Sequence, residues 1–103
     1  MLKENILKLL NAQVEKEFYS SNLYLAMASW VESEGFEGTS QWLYIQADEE
    51  RMHMLKFLKY INERGSKAIV PASKQPPVKY KDVYNLFEEV LKHEVFVSKE
   101  ING

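Results

Sequence analysis

Residues 65–81 read GSKAIVPASKQPPVKYK, and the wiring of the fold turns on how far these seventeen residues reach. Gly65 opens the tract and Pro71, Pro76 and Pro77 punctuate it. Proline removes a backbone donor and fixes φ, so no helix runs through. On either side, apolar residues recur at three- and four-residue intervals, the period of amphipathic helices rather than of strands. The spacing predicts a first helix over about 4–34, a second over about 39–64 and a third from about 82 to 103. Thr39 or Ser40 is expected to cap the second, and Gly65 suits the position just past its end. Asp82 meets the positive end of the third helix dipole.

The two connections differ in kind. The four residues 35–38 join the first two helices, which forces an antiparallel hairpin. The second helix is ~39 Å long at ~1.5 Å per residue. Seventeen extended residues span roughly 56–60 Å, so the crossover 65–81 can run the full length of the bundle and start the third helix parallel to the second. One long crossover in an all-α bundle is the ferritin-like wiring. Residues 1–103 thus read as one such domain with three helices present. Three long apolar stripes want a fourth helix to close the core. The expectation is a chain that is the front part of a longer protein, with a second copy supplying the wall as the alternative.

Composition excludes several functions. Thirteen Lys and Arg against fifteen Asp and Glu leave a formal charge of −2, so no basic excess exists to bind nucleic acid by bulk charge. Zero cysteines exclude disulfides, thiolate zinc sites, iron–sulfur clusters and a cysteine nucleophile. No apolar run approaches the roughly 18 residues of a membrane span, and no secretory signal is visible at Met1–Asn5. The expected compartment is the cytosol.

The seams carry acids where a core wants apolar groups. In the first helix Leu7, Leu10, Val14, Glu17, Ser21, Tyr24, Ala28 and Val31 form one stripe. In the second, Leu43, Ala47, Glu50, His53 or Met54, Phe57 and Ile61 do so, and in the third Val83, Phe87, Val90, Glu94, Val97 and Ile101. Measured from the end of the bundle at the first turn, Glu17 lies at about 25 Å, Glu50 and His53 at about 17 and 21 Å, and Glu94 at about 18 Å. These four side chains can converge.

Buried carboxylates without partners cost several kcal/mol each, and a divalent cation supplies the missing charge. One imidazole with several carboxylates suits iron or manganese, with zinc a further occupant. A Glu-x-x-His pair puts both groups on one helical face and is the motif of carboxylate-bridged di-iron bundles. Glu49 sits off the main seam and reads either as a solvated acid or as part of an adjoining cation site. His93 shares no seam with the ligands and reads as a surface or flank histidine. Tyr24 is either ordinary core or a hydrogen-bond or electron donor beside the cations. Trp30, Trp42, Met27, Met52 and Met54 read as packing.

These residues carry a resemblance to the bacterial non-haem ferritins. It rests on Glu17, the run Ser21-Asn22-Leu23-Tyr24-Leu25, Glu34-Gly35-Phe36-Glu37-Gly38, Glu49-Glu50-Arg51-Met52-His53, the proline-containing crossover and Lys92-His93-Glu94, and it covers the whole chain in register. The resemblance implies that Glu17, Glu50 and His53 bind a first iron, that Glu50 also bridges, and that Glu94 binds a second. It implies that Tyr24 is the tyrosine beside the ferroxidase centre and that Glu49 belongs to a neighbouring third iron site. The family pattern continues through a fourth helix bearing a Gln-x-x-Glu pair and a short fifth, and these 103 residues contain neither. The haem-binding cousins place a methionine directly after the bridging Glu, where Arg51 stands here. Rubrerythrin-like peroxidases need a cysteine-bound iron.

The resemblance therefore implies iron storage with a ferroxidase step. Fe(II) and dioxygen would be the substrates, ferric mineral the product, and a homo-oligomer, up to a 24-subunit shell, the assembly. The alternative is a truncated, catalytically impaired piece that self-associates through its uncovered helical face.

Overall fold

The computed structural model describes residues 2–102, with side chains described through Glu94. Three helices follow one another: α1 (Glu4–Ser33), α2 (Glu37–Glu63) and α3 (Val83–Asn102). Among the described residues there is no strand, and no helix is long and apolar enough to cross a membrane. The all-α expectation holds.

The first turn is tighter than the sequence suggests. At the end of α1 the Phe36 amide donates to the Val31 carbonyl (3.1 Å) and Gly35 to Glu32 (3.0 Å). This paired closure satisfies the last carbonyls and needs a left-handed residue, which Gly35 supplies at φ +89°. Helix α2 then starts at Glu37 with Phe36 at its N-cap and no side-chain cap bond. Neither Thr39 nor Ser40 caps it: the Ser40 hydroxyl donates to the Glu37 carbonyl one turn back (2.8 Å). Gly65 does take the place read for it, at φ +78°, with Ser66 N donating to Ile61 O (3.2 Å).

The crossover runs where its length requires. Ile69 N donates to Asn11 Oδ1 (3.1 Å) near the start of α1. Farther along, Asn22 Nδ2 donates to Ser73 Oγ (3.0 Å), and Trp30 meets Tyr80 edge to face at 5.5 Å near its end. Contacts at 11, 22 and 30 with 69, 73 and 80 mean that the strap climbs α1 from bottom to top. Asp82 then caps α3, its Oδ1 accepting from Asn85 N (2.7 Å) while Asn85 Oδ1 accepts from Lys81 N (3.2 Å). The first bond occupies an orphan donor of the helix start, and the second ties the residue before the cap back to the first turn.

Apolar packing is divided in two. Leu23, Tyr24, Met27, Ala28, Val31, Leu43, Ala47, Leu86 and Val90 form the upper cluster, and Val14, Met54 and Ile61 the lower. Between them, Ser21 Oγ donates to the Ala47 carbonyl (2.8 Å) and draws α1 close to α2. Met27 and Met54 are buried and Trp30 is half-buried, as read; Trp42 (44% exposed) and Met52 (51%) are not core residues. Helical periodicity alone cannot tell a face that a neighbour covers from one that no neighbour covers.

Candidate metal centre

The gap between the clusters holds the acids. Glu17 comes from the middle of α1 and is buried, while Glu50 and His53 occupy one face of α2, three residues apart. Their ligand atoms all lie within 4.8 Å of one another. His53 Nδ1 is 3.5 Å from Glu17 Oε2 and 3.9 Å from Glu50 Oε2. Gln13, one turn before Glu17, donates from Nε2 to Glu17 Oε1 (3.0 Å). The other oxygen, Oε2, is buried and has no hydrogen bond. A buried acceptor left open costs about 1–3 kcal/mol, and a cation between these three groups would satisfy it.

The same crowding acts on protons. Burial, above all, pushes Glu50 up to about 8, helped by the adjacent Glu17 carboxylate and by the charges of Glu94 and Glu49. A carboxyl that keeps its proton near neutrality must surrender it to bind a cation, so cation binding here would be coupled to proton release. The imidazole of His53 is half exposed, and a groove of ≈ 970 Å³ lined by Leu9, Gln13, Glu17, His53, Phe57 and Tyr60 among others reaches the group from outside.

Glu94 stands apart from the triad. Its side chain is exposed and its Oε1 accepts a hydrogen bond from the Tyr24 hydroxyl. Yet it lies close enough for its charge to act on Glu50. Tyr24 is buried. Burial first, then the bond to Glu94 and the charges of Glu94 and Glu50, hold its phenol well above the ordinary range, so the ring stays protonated and acts as a donor. Glu49 is exposed and outside the triad.

His93 is the residue the sequence misplaced. It is half-buried, its Nε2 lies 2.8 Å from Ser20 Oγ, and its ring stands edge-on to Tyr24 at 5.6 Å and 86°. Burial lowers its proton affinity, opposed by the charges of Glu94 and Glu17. A seam drawn through Glu94 leaves its neighbour off the stripe, but α3 leans on α1 as well as on the gap, and residue 93 faces α1. Ser20 and Gln13 were also missed. Each lies one turn before a residue that was singled out, Tyr24 and Glu17, and that spacing was the available signal.

A carboxylate–imidazole cluster between the hairpin helices α1 and α2, in a bundle whose third helix follows one long crossover, defines the class: a ferritin-like bundle. The ferritin-like domain family matches residues 7–103. Over 102 residues the chain is 46% identical to a probable bacterial non-heme ferritin-like protein of Haemophilus influenzae, covering 99% of this chain and 62% of that one. It is 39% identical to a bacterial non-heme ferritin of Campylobacter jejuni, covering 99% and 61%. Among solved structures, the open-pore ferritin of Archaeoglobus fulgidus superposes with TM-score 0.91 at 38% identity, covering 99% of this chain and 63% of that one. The chain belongs to the ferritin-like family, and it spans about three fifths of the length of these relatives.

Proposed function

We propose that the protein stores iron and oxidises it on entry. The observation that carries this is the buried Glu17 Oε2, which accepts no hydrogen bond and faces Glu50 and His53, in a chain of the ferritin-like family. Glu17, Glu50 and His53 take a first Fe(II), with Glu50 bridging to a second that Glu94 holds. Carboxylates are hard donors and favour the ferric product, while imidazole suits either oxidation state. Two Fe(II) give one electron each to dioxygen, which takes two protons and leaves as hydrogen peroxide. Two Fe(III) pass on to a ferric mineral store. The proton displaced from Glu50 is one source of those protons. Tyr24 keeps Glu94 in place through its hydroxyl. Glu49 serves a neighbouring iron on the outer side, and copies of the subunit form a cytoplasmic shell.

The test is anaerobic addition of Fe(II) followed by air, with ferric absorbance as readout. Wild type should oxidise iron far faster than a Glu50→Ala/His53→Ala double variant. Equal rates in the two would defeat the enzymatic reading.

A second reading is supported by the exposed apolar face: Trp42, Phe87 (40%) and Leu91 (66%) are uncovered. On that reading the three-helix unit associates with itself and binds cations poorly. Sedimentation with and without Zn(II) separates the two. Assembly independent of metal, with none retained after dialysis, favours association.

A further inference from the structure

Over its described side chains, through Glu94, helix α3 is anchored by two buried residues, Leu86 and Val90. Apolar contacts of this kind tolerate small rotations, because dispersion is non-directional. A carboxylate that shares a cation with α1 and α2 does not tolerate them. Ligand distances must hold to about 0.2 Å. At ~6 Å from the helix axis, a rotation of about 2° already uses that margin.

Two side chains of α1 grip α3 at successive residues. Ser20 and Tyr24 are one turn apart on α1 and both are buried. Ser20 Oγ meets His93 Nε2 at 2.8 Å, and the Tyr24 hydroxyl donates to Glu94. The His93 ring lies edge-on to the Tyr24 ring, closing the circuit Ser20–His93–Tyr24–Glu94. Residues 93 and 94 point about 100° apart around the helix. Holding both fixes the rotation of α3 in a way that neither bond does alone.

We infer that Ser20 and His93 are a positioning pair whose hydrogen bond sets the rotation of α3 and thereby presents Glu94 to the second cation. The inference rests on the proposed two-cation site and adds two residues that the reading above does not use. Neither residue is assigned as a ligand.

Calorimetric titration of the protein with Zn(II), which is redox-inert, tests it by separating two equivalents. Wild type should take up both, and Glu94→Ala one. Ser20→Ala should keep the first equivalent within about twofold and weaken the second about 10–100-fold, the usual effect of removing an outer-shell partner. Because Ser20→Ala leaves the imidazole in place, such a loss cannot come from deleting a metal-binding group. His93→Gln, whose amide can still reach Ser20, should recover most of the second-site affinity. His93→Leu fills the space without the hydrogen bond and should not. Wild-type affinity for the second equivalent in both Ser20→Ala and His93→Leu overturns the positioning role and leaves the first site intact. A wild type that takes one equivalent overturns it as well, since Glu94 then holds no cation. A wild type that takes none, or a Glu50→Ala/His53→Ala variant that keeps both, defeats the proposed function itself.

Discussion

Glu50 makes the cation-free protein less stable as pH rises, and the size of the effect follows from its surroundings. Its carboxyl is raised from an ordinary 4.5 to about 8, chiefly by burial and then by Glu17. Below 4.5 the group is protonated whether the chain is folded or unfolded, and pH has no hold on it. Between 4.5 and about 8 the unfolded chain releases the proton and the folded chain keeps it. Stability therefore falls with pH, by at most about 1.4 kcal/mol per pH unit. Above about 8 both forms are ionised and the full penalty remains. The unscreened limit over the window is about 5 kcal/mol. The Glu50 side chain is 21% exposed and solvent screens it, so about 2 kcal/mol is the working figure. For a domain of this size that is roughly 8–16 °C in Tm. Thermal unfolding in chelator should show wild type losing stability from pH 5 to pH 8.5, while Glu50→Gln, which cannot ionise, loses about 2 kcal/mol less over that range. A divalent cation at about 100 times its Kd should return about 2.7 kcal/mol to wild type at pH 8.5, and far less to Glu50→Gln. Parallel pH profiles for the two proteins without cation would refute the assignment of the burial penalty to Glu50.

Three further outcomes follow from particular contacts. Asp82→Ala removes the cap of α3 and should destabilise by about 1 kcal/mol in urea unfolding, with Asp82→Asn close to wild type. Gly35→Ala forces a Cβ into the left-handed conformation at the α1–α2 turn and should lower stability by about 1–2 kcal/mol. Gly38→Ala, at a helical position with open space around its Cβ, should not destabilise. Met54→Ala hollows the small lower cluster and should lower stability by about 2–5 kcal/mol, read as a drop in the denaturant midpoint at unchanged slope.

Most of the fold was legible because its determinants are local. Proline placement and residue count decide that 65–81 leaves the second helix and spans the bundle, and the Asn11–Ile69 and Asn22–Ser73 bonds lie along the path so defined. The convergence of Glu17, Glu50 and His53 was legible for the same reason: height along a helix and position on its seam both follow from counting. What counting misses is tilt. How α3 leans depends on packing that no period in the sequence encodes, so His93 reads as a surface or flank histidine although it is half-buried and its Nε2 meets Ser20 Oγ. The start of α2 was misjudged through chemistry rather than geometry. Serine near a helix start reads as a cap, but here the backbone closure around Gly35 shortens the turn and leaves Ser40 inside the helix.

The acid layer and the bare face are one feature seen from two sides. An apolar core gains by being continuous, yet here the upper and lower clusters are separate, and the lower has three buried members among the described residues. Replacing a polar layer with apolar side chains often stabilises a protein, so Glu17, Glu50 and His53 are poor choices for folding and good ones for holding a cation. The groove that leaves Leu9 and Tyr60 exposed opens onto the same layer; under the proposed function it would admit cations and leave coordination positions for dioxygen. Trp42 and Phe87 line a second opening on α2 and α3. Any segment that closes the groove must bring apolar groups against Leu9, Phe57 and Tyr60 and a polar group to the level of Glu17. A uniformly apolar wall would still leave Glu17 Oε2 without a hydrogen bond and bury His53 as well, so the same residues that invite cover also dictate its chemistry.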